Sequence, residues 1–146
     1  MGDNVTLSEY LGKKNVVLYF YPKDETTGCT KEACTFRDSY SVFTELESEV
    51  LGVSGQSVTS HKSFATHYGL PFLLLSDEGN KIRQLYGVPA TIGFIPGRVT
   101  YIIDKKGIIR HIFNSQYQPQ KHVEEAKQVI EKLNEEESLT QQHPTL

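Results

Sequence analysis

The sequence predicts an α/β domain: a central mixed sheet with helices on both faces. Three observations predict it. Short β-branched and aromatic runs alternate with segments whose apolar residues recur every three or four positions. The last two runs flank Lys105-Lys106-Gly107, a hairpin signal rather than a helical crossover. The chain has 146 residues, the size of one ordinary domain and enough to bury roughly two thirds of its unfolded surface without metals or crosslinks.

Taken in order, residues 8–12 read as one helical turn ended by Gly12. Residues 15–21 form a β-branched and aromatic run of buried-strand type, stopped by Pro22. A polar stretch follows, from Lys23 to Gly28. Between 29 and 49 the apolar positions Ala33, Phe36, Tyr40, Phe43 and Leu46 step by three or four, which predicts one amphipathic helix of about twenty residues. Residues 50–54 are a second strand and 55–59 a loop. Residues 60–68 form a helix with Phe64 and Tyr68 on one face, closed by Gly69. Residues 70–75 are a third strand, 82–86 a short helix after the turn chemistry of Ser76-Asp77-Glu78-Gly79, and 87–97 loop. Residues 98–104 and 108–113 make the hairpin. Val123, Ala126, Val129, Ile130 and Leu133 mark a closing helix over 122–133. Residues 1–133 are then one domain, and 134–146 a polar tail expected to fray. The order β-α-β-α-β-α-β-β-α is a thioredoxin-like arrangement.

Composition narrows the function classes. The chain is 38% hydrophobic and 23% charged, average for a soluble globular domain. A net charge of -3, from 15 Lys+Arg against 18 Asp+Glu, argues against a nucleic-acid-coating protein. The longest apolar run, Val16 to Tyr21, is far short of the ~20 residues a membrane span needs. The first residues carry neither the basic nor the apolar region of a secretory signal. A cytoplasmic protein is expected, with no membrane or nucleic-acid partner. His61, His67, His111, His122 and His143 are too scattered to form a compact metal cluster, so no metal is expected.

Two cysteines, Cys29 and Cys34, are too few for a disulfide scaffold. They are inert buried thiols or a reactive pair. Cys29 falls in the first turn of the predicted helix, where free N–H groups and the helix dipole favour thiolate over thiol. Cys34 lies a turn further on, where that field has faded. Five helical residues separate the two side chains by roughly 140° and ~7.5 Å of rise. A disulfide needs Cα atoms within ~7 Å and converging Cβ vectors. The two can bond only if the first turns unwind. Before Cys29, Thr26 can turn its hydroxyl toward the sulfur and Pro22 can shield it from water. Equally, Thr26 is an ordinary helix cap and Pro22 an ordinary strand stop.

Pro22-x-x-x-Thr26-x-x-Cys29 is similar to the P-x-x-x-[T/S]-x-x-C signature of peroxiredoxins. Tyr19-Phe20-Tyr21-Pro22-Lys23-Asp24 and Gly28-Cys29-Thr30-Lys31-Glu32-Ala33-Cys34 resemble the peroxiredoxin Q branch (bacterioferritin comigratory protein), whose own feature is the C-x4-C pair. The resemblance continues through Gly52-Val53-Ser54, Leu75-Ser76-Asp77 and Arg98-Val99-Thr100-Tyr101-Ile102-Ile103-Asp104. It implies that Cys29 is the peroxidatic cysteine and Cys34 the resolving one. It also implies that Arg98 stabilises thiolate and peroxide, Thr26 holds the peroxide, Pro22 shields it, and Glu32 orients Arg98. On its own chemistry Glu32 reads as a solvated first-turn carboxylate. Thr27 departs from the branch, which usually has Pro there. The branch's leading segment and hairpin are also not found, so a sheet edge or core patch is expected to be less covered.

The implied function is reduction of hydrogen peroxide and organic hydroperoxides through a Cys29 sulfenic acid resolved by Cys34. Thioredoxin or a similar dithiol recycles the disulfide, and no organic cofactor takes part. A monomer is expected over a dimer, in the cytoplasm or, as a mature protein, in a plastid. The rival readings are a thioredoxin-like disulfide oxidoreductase and a non-enzymatic redox sensor or holdase. The first would want Cys-x-x-Cys, usually with a nearby Trp; this chain has C-x4-C and no Trp.

Overall fold

The computed structural model describes residues 4–88, 90–91 and 95–142. Along the chain run a 3-10 turn (Leu7–Tyr10), β1 (Asn15–Phe20), α1 (Thr27–Asp38), α2 (Tyr40–Glu45), β2 (Ser48–Ser54), α3 (Val58–Tyr68), β3 (Leu73–Ser76), α4 (Lys81–Leu85), β4 (Ala90–Thr91), β5 (Ile95–Pro96), β6 (Val99–Ile103), β7 (Ile109–Asn114) and α5 (Pro119–Gln142). Five strands form one mixed sheet in the order β3-β2-β1-β6-β7. β1, β2 and β3 are parallel, and β6 runs antiparallel to both β1 and β7. The α/β class and the mixed sheet are as the sequence predicts.

β1 is central because every one of its residues is apolar enough to be covered on both faces, apart from Asn15 at its start; all six are buried. Val17, Tyr19 and Tyr21 point into a core shared with α1, α2, α3 and α5, through Ala33, Phe36, Phe43, Phe64, Val123, Ala126 and Ile130. Val16, Leu18 and Phe20 point the other way, under Leu7 and Tyr10 of the 3-10 turn and Tyr86 and Val88 beyond α4. The helices are therefore divided unevenly between the two faces. Tyr19 pairs with Gly52 in the parallel register. A Cβ on Gly52 would fall 2.9 Å from the Tyr19 ring and 2.8 Å from Leu74, so glycine there lets the large ring lie across β2.

Several elements differ from the sequence expectation. The predicted helix over 29–49 is two helices, broken at Ser39 (φ -102°, ψ 2°). The break keeps the helical phase: Ser39 N–H donates to the Thr35 and Phe36 carbonyls and Val42 N–H to that of Ser39. Phe36 and Phe43 thus stay on one face, and apolar spacing could not reveal the break. Glu47, at φ 51°, turns the chain into β2. β2 starts two residues early because Ser48 and Glu49 pair with Asn15 and Val16. β3 starts late: Leu70 N–H caps α3 on the Ala65 carbonyl, and Pro71 has no N–H to give to a sheet. The predicted loop 87–97 holds the small β4–β5 hairpin; residues 89 and 92–94 lie outside the described residues.

The closing helix reaches Gln142, beyond the predicted bound at 133. α5 continues through 134–142 because its acidic face is tied to the sheet: Lys105 Nζ is 2.7 Å from Glu137 Oε2, and Arg110 Nη2 is 2.8 Å from Glu136 Oε1. Residues 143–146 lie outside the described residues. Among the described residues, no helix is long and apolar enough to cross a membrane.

Candidate active site

Cys29 is the third residue of α1. The first intrahelical bond runs from Thr30 N–H to the Thr26 carbonyl at 2.8 Å, so the N–H groups of Thr27, Gly28 and Cys29 have no helical acceptor. Thr26 is the N-cap, with extended backbone. The sulfur of Cys29 is buried, at 1% residue exposure, against the aromatic core beside Ala33 and Phe36. Both cysteines are free; Cys34, on the same unbroken helix, is half-buried. While α1 is intact the C-x4-C pair is held apart by the helix itself.

Arg98 comes from the far side of the sheet centre, one residue before β6. β6 is paired directly to β1, and this pairing brings residue 98 beside residue 29. The guanidinium is 4% exposed and uses three nitrogens: Nη2 donates to Cys29 Sγ at 3.4 Å, Nη1 to Glu32 Oε1 at 2.6 Å, and Nε to the Gln116 carbonyl at 3.1 Å. A lysine could not serve three such directions from a fixed plane. Gly28 makes room for this. A Cβ there would stand 3.0 Å from Arg98 Nη2.

Glu32 is not a solvated carboxylate: it is fully buried. One helical turn after Cys29, it points to the same interior. Burial pushes its carboxyl up to about 8, against the pull of Arg98. Burial works against the Arg98 charge too, but Glu32 and Cys29 outweigh it and hold the guanidinium above its ordinary value. Both shifts favour the protonated form, which leaves positive charge facing the sulfur. Behind Glu32, His122 Nδ1 lies 3.7 Å from Oε2, an oxygen without a hydrogen bond. His122 Nε2 donates to the Ser115 carbonyl at 2.7 Å, and Nδ1 is 2.7 Å from Thr100 Oγ1. Burial pulls His122 down to about 4, so it is a neutral ring whose Nδ1 accepts from Thr100.

The structure thus brings Cys29, Glu32 and Arg98 together. Pro22 is half-buried at the end of β1. The Thr26 hydroxyl is exposed and donates to the Lys23 carbonyl at 2.9 Å. The hydroxyl closes a local turn, with its lone pairs still open to a donor. Sequence reasoning missed Gly28, Thr100, Gln116 and His122, all of which act through Arg98 or Glu32. Only Gly28, immediately before a helix-start cysteine, carried a local signal.

The chain belongs to the AhpC/TSA family, whose model matches residues 1–112. Among curated relatives, chloroplastic peroxiredoxin Q of Triticum aestivum is 55% identical over 133 residues, covering 90% of this chain and 61% of that protein. Chloroplastic peroxiredoxin Q of Sedum lineare is 53% identical over 133 residues, covering 90% and 71%. The chain spans about three fifths of the length of most of these relatives. Among solved structures, peroxidoxin BcpB of Mycobacterium tuberculosis superposes with a TM-score of 0.79 at 32% identity, over 86% of this chain and 84% of that one. The bacterioferritin comigratory protein of Xanthomonas campestris, described for alkyl peroxide reduction, gives 0.81 at 26% identity, over 89% and 85%. These relatives place the chain in the peroxiredoxin Q branch of the family.

Proposed function

We propose that the chain is a thiol peroxidase that reduces hydrogen peroxide and organic hydroperoxides. The observation that carries this is the Cys29 sulfur, buried at the start of α1 with the Arg98 guanidinium 3.4 Å away. Arg98 and the helix start stabilise the thiolate. The thiolate attacks one peroxide oxygen, the O–O bond breaks, and the other oxygen leaves as water or an alcohol after taking a proton. Arg98 and the free N–H groups of the first turn donate to the oxygen that gains charge. Thr26 Oγ1 accepts from the peroxide O–H while it donates to Lys23, and Pro22 restricts water. Cys29 becomes a sulfenic acid.

The first turns of α1 then unwind. The Cys34 sulfur displaces the sulfenic oxygen as water, giving a Cys29–Cys34 disulfide. An external dithiol of thioredoxin type restores both thiols by exchange. A monomer is the working form on this reading, which sedimentation at micromolar concentration tests. The chloroplastic names of the plant relatives support a plastid over the cytoplasm.

The test is peroxide-dependent oxidation of reduced thioredoxin by wild type and both cysteine variants. Cys29→Ser should abolish turnover; turnover that survives overturns the reading. Cys34→Ser should give one turnover and a sulfenic acid that dimedone traps at Cys29. Absence of trapping removes Cys34 from the resolving role.

A further inference from the structure

The loop that delivers Cys29 to α1 contains a carboxylate that the chemistry above leaves unused. Asp24 is only 4% exposed although it sits in a connection. Both its oxygens are occupied. Tyr21 Oη donates to Oδ1 at 2.6 Å, Ser60 Oγ donates to Oδ2 at 2.6 Å, and His61 Nδ1 lies 2.8 Å from Oδ2. His61 is fully buried, and its other nitrogen lies 3.1 Å from the Leu75 carbonyl. The ring is fixed from both ends, by the loop and by β3. Ser60 and His61 belong to the first turns of α3, which is capped by Ser57. Burial opposes the Asp24 charge, but the hydrogen bonds from His61, Ser60 and Tyr21 outweigh it and hold the carboxyl below its ordinary value. The next residue, Glu25, has φ 64° and meets His67 of the same helix at 3.1 Å. The chain then enters the Thr26 cap.

We propose that Asp24, seated by Ser60 and His61, is a positioning residue for Cys29: a latch between the loop and α3 that sets how often the first turns of α1 open. This rests on the thiol-peroxidase reading for its consequence, but not for its existence. The Cys29–Cys34 bond forms only from the opened turn. Five residues separate Asp24 from Cys29, a reach of roughly 17 Å when extended. A closed latch therefore permits the opened state, yet it fixes one end of the unwound segment and so removes conformational freedom from that state. Releasing the latch restores that freedom and shifts the balance toward opening.

The sulfenic acid has two fates that read this balance. From the opened turn it condenses with the Cys34 thiol, forming the S–S bond and water. In the closed site a second hydrogen peroxide adds one oxygen to the sulfur, giving sulfinic acid and water. Asp24→Asn breaks the charge-assisted contacts and should raise opening by roughly tenfold.

The deciding measurement is amide hydrogen exchange of the reduced full-length protein, which involves no peroxide. Amides of residues 30–33 should exchange roughly tenfold faster in Asp24→Asn, with α5 unchanged. Ser60→Ala, which removes one bond of the three, should give a smaller increase at the same amides and keeps the test open where Asp24→Asn does not fold. The chemical arm follows partition under excess hydrogen peroxide by mass spectrometry. Disulfide over sulfinic acid should rise by about the same factor, while the first oxidation of Cys29 changes less than about twofold because the closed state still dominates. Unchanged exchange at 30–33, or exchange that rises equally in α5, overturns the latch. A wild type that turns over no peroxide while the exchange shift holds overturns the peroxidase reading and leaves the latch standing.

Discussion

Arg98→Met is the sharpest perturbation of the site. It keeps an unbranched apolar stem and removes the guanidinium with its charge. Two unit charges 3.4 Å apart, the Nη2–Sγ distance, interact by about 5 kcal/mol at an effective dielectric constant of ~20. That figure is a ceiling of between three and four decades. The N–H groups of the first turn remain, and water enters part of the vacated space, so the expected loss is roughly 10²–10³-fold in the second-order rate of Cys29 oxidation at pH 7. Stopped-flow fluorescence or competition with a reference thiol measures it. Arg98→Lys keeps charge but not the three-way fork, and should fall between wild type and Arg98→Met. Stability must be read beside the rate, since the substitution also removes the buried hydrogen bonds that Arg98 gives to Glu32 and to the Gln116 carbonyl. A folded Arg98→Met protein within tenfold of wild type at pH 7 would refute the electrostatic account of Cys29.

Other outcomes can be stated more briefly. Glu32 titrates near 8 in the folded chain against an ordinary 4.5. The folded state therefore holds an extra proton in that window, and stability falls as pH rises through it, by about 2 kcal/mol between pH 6.5 and 8. His122, lowered from 6.5 to about 4, acts oppositely: its contribution is complete above 6.5 and is lost as pH falls toward 4. Urea midpoints should thus show a plateau between about pH 4.5 and 6.5, and Glu32→Gln should remove the alkaline limb; a limb unchanged in that variant refutes the origin given. Gly28→Ala should slow Cys29 oxidation several-fold by pushing Arg98 aside, while helix propensity raises stability by up to ~1 kcal/mol. A rate that follows stability upward would show that Arg98 yields without consequence.

Local reading of the residues went far in some places and stopped in others for identifiable reasons. The central strand was legible because both faces of the sheet are covered there, so Val16 to Tyr21 are all buried and form an uninterrupted apolar run. The end of α3 was legible because Gly69, at φ 60°, is local chemistry. The break at Ser39 was not, since Phe36, Tyr40 and Phe43 keep their spacing across it. The extension of α5 was hidden for a different reason. Residues 134–142 are mostly polar, and the partners of Glu137 and Glu136, Lys105 and Arg110, lie in the hairpin of β6 and β7.

Sequence alone determined the α/β class, that the two thiols stand five residues apart at a helix start, and that they cannot bond without unwinding. Those are properties of spacing and of helical geometry, and they need no distant partner. Only the tertiary structure decided what surrounds the first thiol. The pairing of β6 with β1 carries Arg98 across 69 positions to Cys29. The packing of α1 against α5 buries Glu32, whose local pattern is that of an exposed carboxylate, and sets His122 behind it. The loop's Asp24 finds its partners 36 and 37 residues away on α3. Desolvation and long-range pairing fix the charge of each of these groups, and both arise only when the sheet has closed.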